Sequence, residues 1–182
     1  YREEIESGDI IAGWELRQEL TNLKEDFSND EYFYNTDDAL LRMDFMENCV
    51  KLTKSPFYGQ PMVLMLWQKA FIEAVYSFKM AEESITRGMM IDRFKKILLL
   101  IARKNTKSET CSAIATTELF VGNEGADIVC SSNDDNQASI TYDAIDTMRQ
   151  LIDPRDLDSK KNQRFIRNKS TNSKVFKLSD RT

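Results

Sequence analysis

Lys107 and Ser108, side by side after a short polar loop, are the residues whose types and spacing come nearest to a defined chemistry. The stretch from Ile97 to Ala115 reads Ile-Leu-Leu-Leu-Ile-Ala-Arg-Lys-Asn-Thr-Lys-Ser-Glu-Thr-Cys-Ser-Ala-Ile-Ala. An apolar run leads into the loop, and a helix-like segment follows it. That is the layout of a phosphate-binding loop, in which backbone N–H groups and a helix N-terminus hold anionic oxygens. Lys107 would sit on β/γ-phosphate oxygens, and the Ser108 hydroxyl would ligate Mg²⁺. The N–H groups of Asn105, Thr106, Lys107, Ser108 and Glu109 would face the phosphates. Counting back through G-x-x-x-x-G-K-[ST], the two glycine positions hold Ile101 and Thr106. Glycine is favoured there because backbone must approach the ligand closely, often with φ > 0, and Thr106 is β-branched. A surface turn with incidental charges has the same local pattern, and the two readings stand side by side.

Three other groups belong to the same inventory. Arg103 and Lys104 lie inside the loop, where an arginine reaches a γ-phosphate or forms a solvated charge pair. Gln68 starts an amphipathic segment about 40 residues upstream. Its amide offers both a donor and an acceptor, which suits an adenine edge; the plainer reading is a helix-surface residue. Ser131-Ser132-Asn133-Asp134-Asp135-Asn136-Gln137-Ala138 follows an apolar segment and reads either as a contact at a strand's carboxyl end or as a helix cap.

Elements must position these residues. Residues 1–50 read as helical and polar, with apolar stripes Ile10, Trp14, Leu20 and Leu40, Leu41, Phe45, Val50. Prolines and a glycine make 54–61 a loop. An amphipathic helix with Leu64, Trp67, Phe71, Ala74, Val75 and Phe78 on one face follows. The continuous apolar run 95–101 predicts a strand buried on both faces. A helix from about 107 to 120, a strand over 126–130 and a helix ending at Asp153-Pro154 come next. The order strand, helix, strand, helix predicts a parallel sheet. Gln163–Ile166 and Lys174–Leu178 flank a polar turn and predict a hairpin.

Composition narrows the chemistry. There is no histidine, which excludes Ser-His and Cys-His nucleophilic catalysis within these 182 residues. Three scattered cysteines, Cys49, Cys111 and Cys130, point to a reducing compartment without a disulfide framework. No apolar run reaches the roughly 20 residues needed to span a bilayer. The net charge of −5 hides an asymmetry: residues 1–60 carry a balance of −8, and 159–182 a balance of +7. The basic stretch, with Phe165 and Phe176 interleaved, either follows a phosphate backbone or forms a solvated hairpin face. The chain opens on Tyr1 rather than Met, so a piece of a longer protein is expected.

Taken together, these pieces resemble the large subunit of the terminases of tailed bacteriophages, the ATP-driven motors that package DNA into capsids. The resemblance rests on the opening helical run Ile5-Glu6-Ser7-Gly8-Asp9-Ile10-Ile11-Ala12-Gly13 and on Gly59-Gln60-Pro61 leading into Leu66-Trp67-Gln68-Lys69-Ala70-Phe71-Ile72. It rests further on Arg93-Phe94 before the run that ends Ala102-Arg103-Lys104-Asn105-Thr106-Lys107-Ser108, on Asp127-Ile128-Val129-Cys130 before Gln137-Ala138, and on Asn172 to Ser179.

The resemblance implies an α/β fold: a P-loop NTPase of the RecA-like (ASCE) type, with a largely parallel sheet flanked by helices. Residues 1–60 would form an N-terminal helical region, and 61–182 a P-loop ATPase core incomplete at its C-terminus. It implies ATP and Mg²⁺ as cofactors. Lys107 and Arg103 would be catalytic, and Ser108 would be the metal ligand. Gln68, Lys104, Asn105, Thr106, Lys107, Ser108 and Glu109 would bind nucleotide. The family usually keeps the glycine that Thr106 replaces, and its acidic motif and nuclease domain would lie beyond Leu178. Implied partners are double-stranded DNA, the portal protein and the terminase small subunit, in a homo-oligomeric ring on the portal, without a membrane. The implied setting is the host bacterial cytoplasm. The whole protein would be an ATPase and DNA endonuclease, and this stretch alone weakly active or inactive. The alternative is a nucleotide-inactive DNA- or capsid-docking module of the same fold; a third is another P-loop motor such as a helicase.

Overall fold

A computed structural model describes residues 1–132 and 134–179. The chain divides into two compact units. The first comprises 1–43 and 64–99; the second comprises 44–63 and 100–182.

The first unit contains α1 (Arg2–Ser7), α2 (Trp14–Asp26), β1 (Tyr32–Tyr34), the start of α3 (Asp37–Asn48), α4 (Leu66–Ser77), β2 (Phe78–Met80) and α5 (Ala81–Arg87). Asn35 Oδ1 accepts the Asp37 N–H at 2.8 Å and so starts α3. Gly88, at φ 64, ends α5 in the left-handed region. β1 and β2 pair antiparallel, Tyr32 opposite Met80. Beside them Phe27, Tyr34 and Phe78 meet in tilted and edge-to-face contacts at 4.7–5.1 Å between ring centroids. Such rings favour tilted and T-shaped contacts because the ring edge is positive and its face negative. The Arg93 guanidinium lies 4.3 Å over the Tyr32 ring and 4.6 Å over that of Phe94, and it is ion-paired with Asp26. Lys79 is 1 % exposed and is held by Asp38 and Asp92.

The helix faces differ from their sequence patterns. α2 buries no residue, and Trp14 is 72 % exposed. The stripe fails geometrically: six residues from Trp14 to Leu20 carry the chain about 240° round a helix of 3.6 residues per turn. In α3 the buried line is Ala39, Arg42 and Met46, while Leu40 and Leu41 are exposed. In α4 it is Gln68 and Ile72, below buried Leu64; Trp67, Phe71, Ala74 and Val75 are half-buried.

The second unit holds the end of α3, the loop 49–63, α6 (Lys107–Val121), β3 (Asp127–Ser132), α7 (Asp135–Ile152), β4 (Ser159–Lys161), β5 (Phe165–Asn168) and β6 (Lys174–Ser179). Its sheet runs β3-β6-β5-β4. β3 and β6 are parallel, joined through α7; β5–β6 and β4–β5 are antiparallel. The expected hairpin is present, with Phe165 opposite Phe176. The sheet is thus mixed, not largely parallel, because the connection after α7 returns through a β4–β5 hairpin rather than straight to β6. Leu119, Cys130, Tyr142, Ile145, Ile166 and Val175 form the core between the helices and one sheet face.

The run 95–101 is not a strand. Among the described residues it has no ladder partner, and Leu98 and Leu100 are 81 % and 83 % exposed. Apolar composition cannot make a strand whose N–H and C=O groups find no neighbour.

Candidate functional site: the loop before α6

α6 begins where the phosphate-loop pattern predicts. Thr106 is its N-cap, at φ 56 and ψ 14, and Lys104 is also left-handed at φ 71. The glycine position of the pattern is therefore a left-handed position here, taken by a β-branched residue. Left-handed residues at alternate positions turn successive N–H groups toward one side, which makes an anion-binding concavity. Thr106 supplies no side-chain cap; its hydroxyl donates to the Asn105 carbonyl at 2.8 Å. Among the described residues, the N–H groups of Lys107, Ser108 and Glu109 have no acceptor, whereas that of Thr110 reaches the Thr106 carbonyl at 2.8 Å. These are the orphan donors of a helix start, carrying the positive end of the helix dipole.

The side chains complete the electrostatics. Residues 102–108 are exposed. Arg103, Lys104 and Lys107 pair with no acid among the described residues, so three cations and three free N–H groups share one loop. Glu109, in the same first turn, turns its carboxylate away from this charge. It accepts the Thr53 N–H at 2.6 Å and the Thr53 hydroxyl at 3.0 and 3.1 Å. That contact ties loop 49–63 to the start of α6. The loop pattern gives Glu109 only a backbone role, because no local signal joins residues 56 apart.

Behind the loop, α6 is unusually polar inside. Thr110, Ser112, Thr116 and Thr117 are fully buried. Three of them satisfy their hydroxyls on carbonyls one turn back: Thr110 on Thr106 at 3.0 Å, Thr116 on Ser112 at 2.8 Å and Thr117 on Ala113 at 2.8 Å. Phe120 stacks on Phe45 of α3, their centroids 5.8 Å apart. Cys111 lies four residues after Lys107; burial pushes its thiol up, against the pull of the Lys107 ammonium.

The remaining candidates sort as follows. Gln68 lies in the first unit and is 2 % exposed, so it is not a helix-surface residue. Its Oε1 accepts the Met65 N–H at 2.7 Å and closes the first turn of α4. Asp134 caps α7 through Asn136 at 3.0 Å, as the cap reading of that turn requires; Asn133 lies outside the described residues. In the basic stretch, Lys161 is held by Asp146 at 3.1 Å and Lys177 by Asp135 at 3.0 Å. Lys169 donates to the carbonyls of Asp156 and Leu157. Lys160 and Arg164 have no side-chain partner among the described residues. No group of three or more His, Cys, Asp or Glu residues able to hold a metal occurs among the described residues. No helix there is long and apolar enough to cross a membrane.

No protein-family model and no curated protein matches the sequence. A solved structure does match the fold: the crystal structure of the HK97 bacteriophage large terminase, with a TM-score of 0.62 and 23 % identity. The match covers 79 % of this chain and 28 % of that one. The chain therefore shares the fold of part of a phage large terminase and spans under a third of that protein's length.

Proposed function

We propose that this chain is part of the ATPase domain of a terminase large subunit, the motor that couples ATP hydrolysis to movement of viral DNA into a capsid. The observation that carries the reading is the loop 102–108. Three unpaired cations and the free N–H groups of Lys107, Ser108 and Glu109 converge at a helix start, within a fold shared with a phage large terminase. These groups fit a polyphosphate: an anion there completes the hydrogen bonding of α6 and neutralises its loop.

In this reading, Lys107 grips the β/γ-phosphate oxygens, and Arg103 balances charge on the terminal phosphate. Ser108 offers its hydroxyl to Mg²⁺, and the N–H groups of residues 105–109 orient the phosphates. Lys104 adds positive potential. ATP·Mg²⁺ supplies the phosphoanhydride to be cleaved and the metal charge that weakens it. The P-loop core is of the RecA-like type. The whole protein works in the host bacterial cytoplasm on double-stranded DNA, as a ring on the portal protein, with the small subunit as partner, and also cuts DNA.

One observation favours a second reading. Thr106 holds φ 56 without glycine, which costs about 1–2 kcal/mol and narrows the approach to the loop. A chain so altered serves as a nucleotide-inactive DNA- or capsid-docking module. Titration calorimetry with ATP·Mg²⁺ separates the two. The ATPase reading expects binding heat that Lys107→Ala removes without lowering the melting temperature. Absence of heat in the unmutated chain, with DNA or portal binding intact, favours the docking module.

A further inference from the structure

The sheet of the second unit has two unlike faces. One carries Ile166 and Val175 and is covered by α6 and α7. Cations on that face are neutralised: Lys161 by Asp146, and Lys177 by Asp135. The opposite face is open, with Val129 49 % and Leu178 56 % exposed.

Strand register places a row of cations across this open face. Lys160 on β4 lies opposite Arg167 on β5, and Arg167 lies opposite Lys174 on β6. Like charges directly opposite one another repel, so three in succession oppose the pairing that makes the sheet. No carboxylate pairs with any of the three among the described residues. Lys160 has no side-chain partner there, Arg167 donates to the neutral amide oxygen of Asn172, and Lys174 lies 5.7 Å over the Phe165 ring. Asp127 on β3 closes the row. The next row on the same face is aromatic and apolar: Phe165 opposite Phe176, 5.7 Å between centroids, then Val129.

We infer that this open face binds single-stranded nucleic acid, with the row Lys160–Arg167–Lys174 on the phosphates and Phe165 and Phe176 under the bases. Two consequences of sheet geometry carry it. Strands about 4.8 Å apart spread the three cations over roughly 10 Å, a linear track for a polyanion. Residues two apart on each strand lie about 7 Å along it, which sets the aromatic row one step from the phosphate row. Two aromatic rings, tilted 60° to each other, beside a cation track offer separate faces to unpaired bases, which expose their own; the bases of a duplex are already stacked. The ligand is thus a few unpaired nucleotides, read without sequence preference. This inference is independent of nucleotide binding at the loop before α6.

Fluorescence anisotropy of a labelled oligothymidylate with the full 182-residue chain, across a series of salt concentrations, tests it. Three phosphate contacts predict a log–log salt slope of about −2. The triple substitution Lys160→Gln, Arg167→Gln, Lys174→Gln should lower affinity at least tenfold and flatten that slope. Phe176→Leu should lower affinity about tenfold while leaving the slope alone. Lys161→Gln, on the covered face, should change affinity by less than twofold. The inference is overturned if the triple variant binds within twofold of the unmutated chain. It is equally overturned if a duplex of the same length binds more tightly and Phe176→Leu has no effect. Circular dichroism melts of each variant confirm that the comparison is between folded proteins.

Discussion

The Glu109 carboxylate holds Thr53 by both its main chain and its side chain, accepting the N–H at 2.6 Å and the hydroxyl at 3.0 Å. Fifty-six residues separate the two, so this contact joins loop 49–63 to the first turn of α6. The carboxylate is spent on the loop and subtracts little from the positive potential around Lys107. Glu109→Ala should therefore destabilise the chain by about 1–3 kcal/mol, the range for losing hydrogen bonds to a charged acceptor. Urea denaturation measures the loss. Amide exchange at Thr53 should accelerate in the variant, and unchanged exchange there would contradict the tie.

Thr106 is the strained member of the loop. A β-branched residue at φ 56 carries the steric penalty that glycine lacks. Thr106→Gly should raise stability by about 1 kcal/mol, offset in part by the lost hydroxyl bond to Asn105. If the loop binds ATP·Mg²⁺, the same change should tighten binding severalfold by calorimetry. A substitution that weakens both properties would show that the threonine is needed where it stands.

Lys79 is an ammonium buried between two carboxylates whose own side chains are 39 % exposed. Removing the charge and removing its partners are unequal operations. Lys79→Met keeps most of the volume and leaves two carboxylates that water still reaches. Asp38→Asn with Asp92→Asn leaves a buried charge unpaired, which costs about 3–5 kcal/mol. Denaturant midpoints should rank the double variant well below Lys79→Met; the reverse order would refute the account of the site.

Asp153 governs acid stability at the end of α7. Burial pushes its carboxyl up, but N–H donors from Leu157, Asp158 and Ser159 and the Ser159 hydroxyl outweigh that and lower it. A carboxyl depressed in the folded state contributes stability that is fully present above the unfolded value of about 4. That contribution is lost as pH falls through the depressed folded value. Asp153→Asn should be less stable near neutrality and lose less on acidification below about pH 4. Melting temperatures from pH 7 down to pH 3 would reveal parallel curves if Asp153 played no such part.

Features set by near neighbours along the chain are legible in the residues themselves. The start of α6 at Lys107, its stop before Gly122 and the Asp134 cap of α7 follow from local backbone preferences and short-range hydrogen bonds. The hairpin around 169–173 is equally readable, because a polar turn between alternating runs brings its own partners together. The cation-rich loop before α6 belongs to this class too.

Contacts between distant segments decide the rest. The run 95–101 has the composition of a buried strand, but a strand exists only where another offers hydrogen bonds. Leu98 and Leu100 stand exposed because the described residues provide none. Which of Leu41 or Arg42 turns inward, and whether Gln68 is buried, depends on a rotation of one residue, about 100°, that packing partners select. The same holds for charge. Composition gives a basic stretch after 159, but only register separates Lys161 and Lys177, neutralised against α7, from Lys160, Arg167 and Lys174 on the open face. Local propensity is short-ranged, whereas pairing, burial and charge compensation are set by residues distant in sequence.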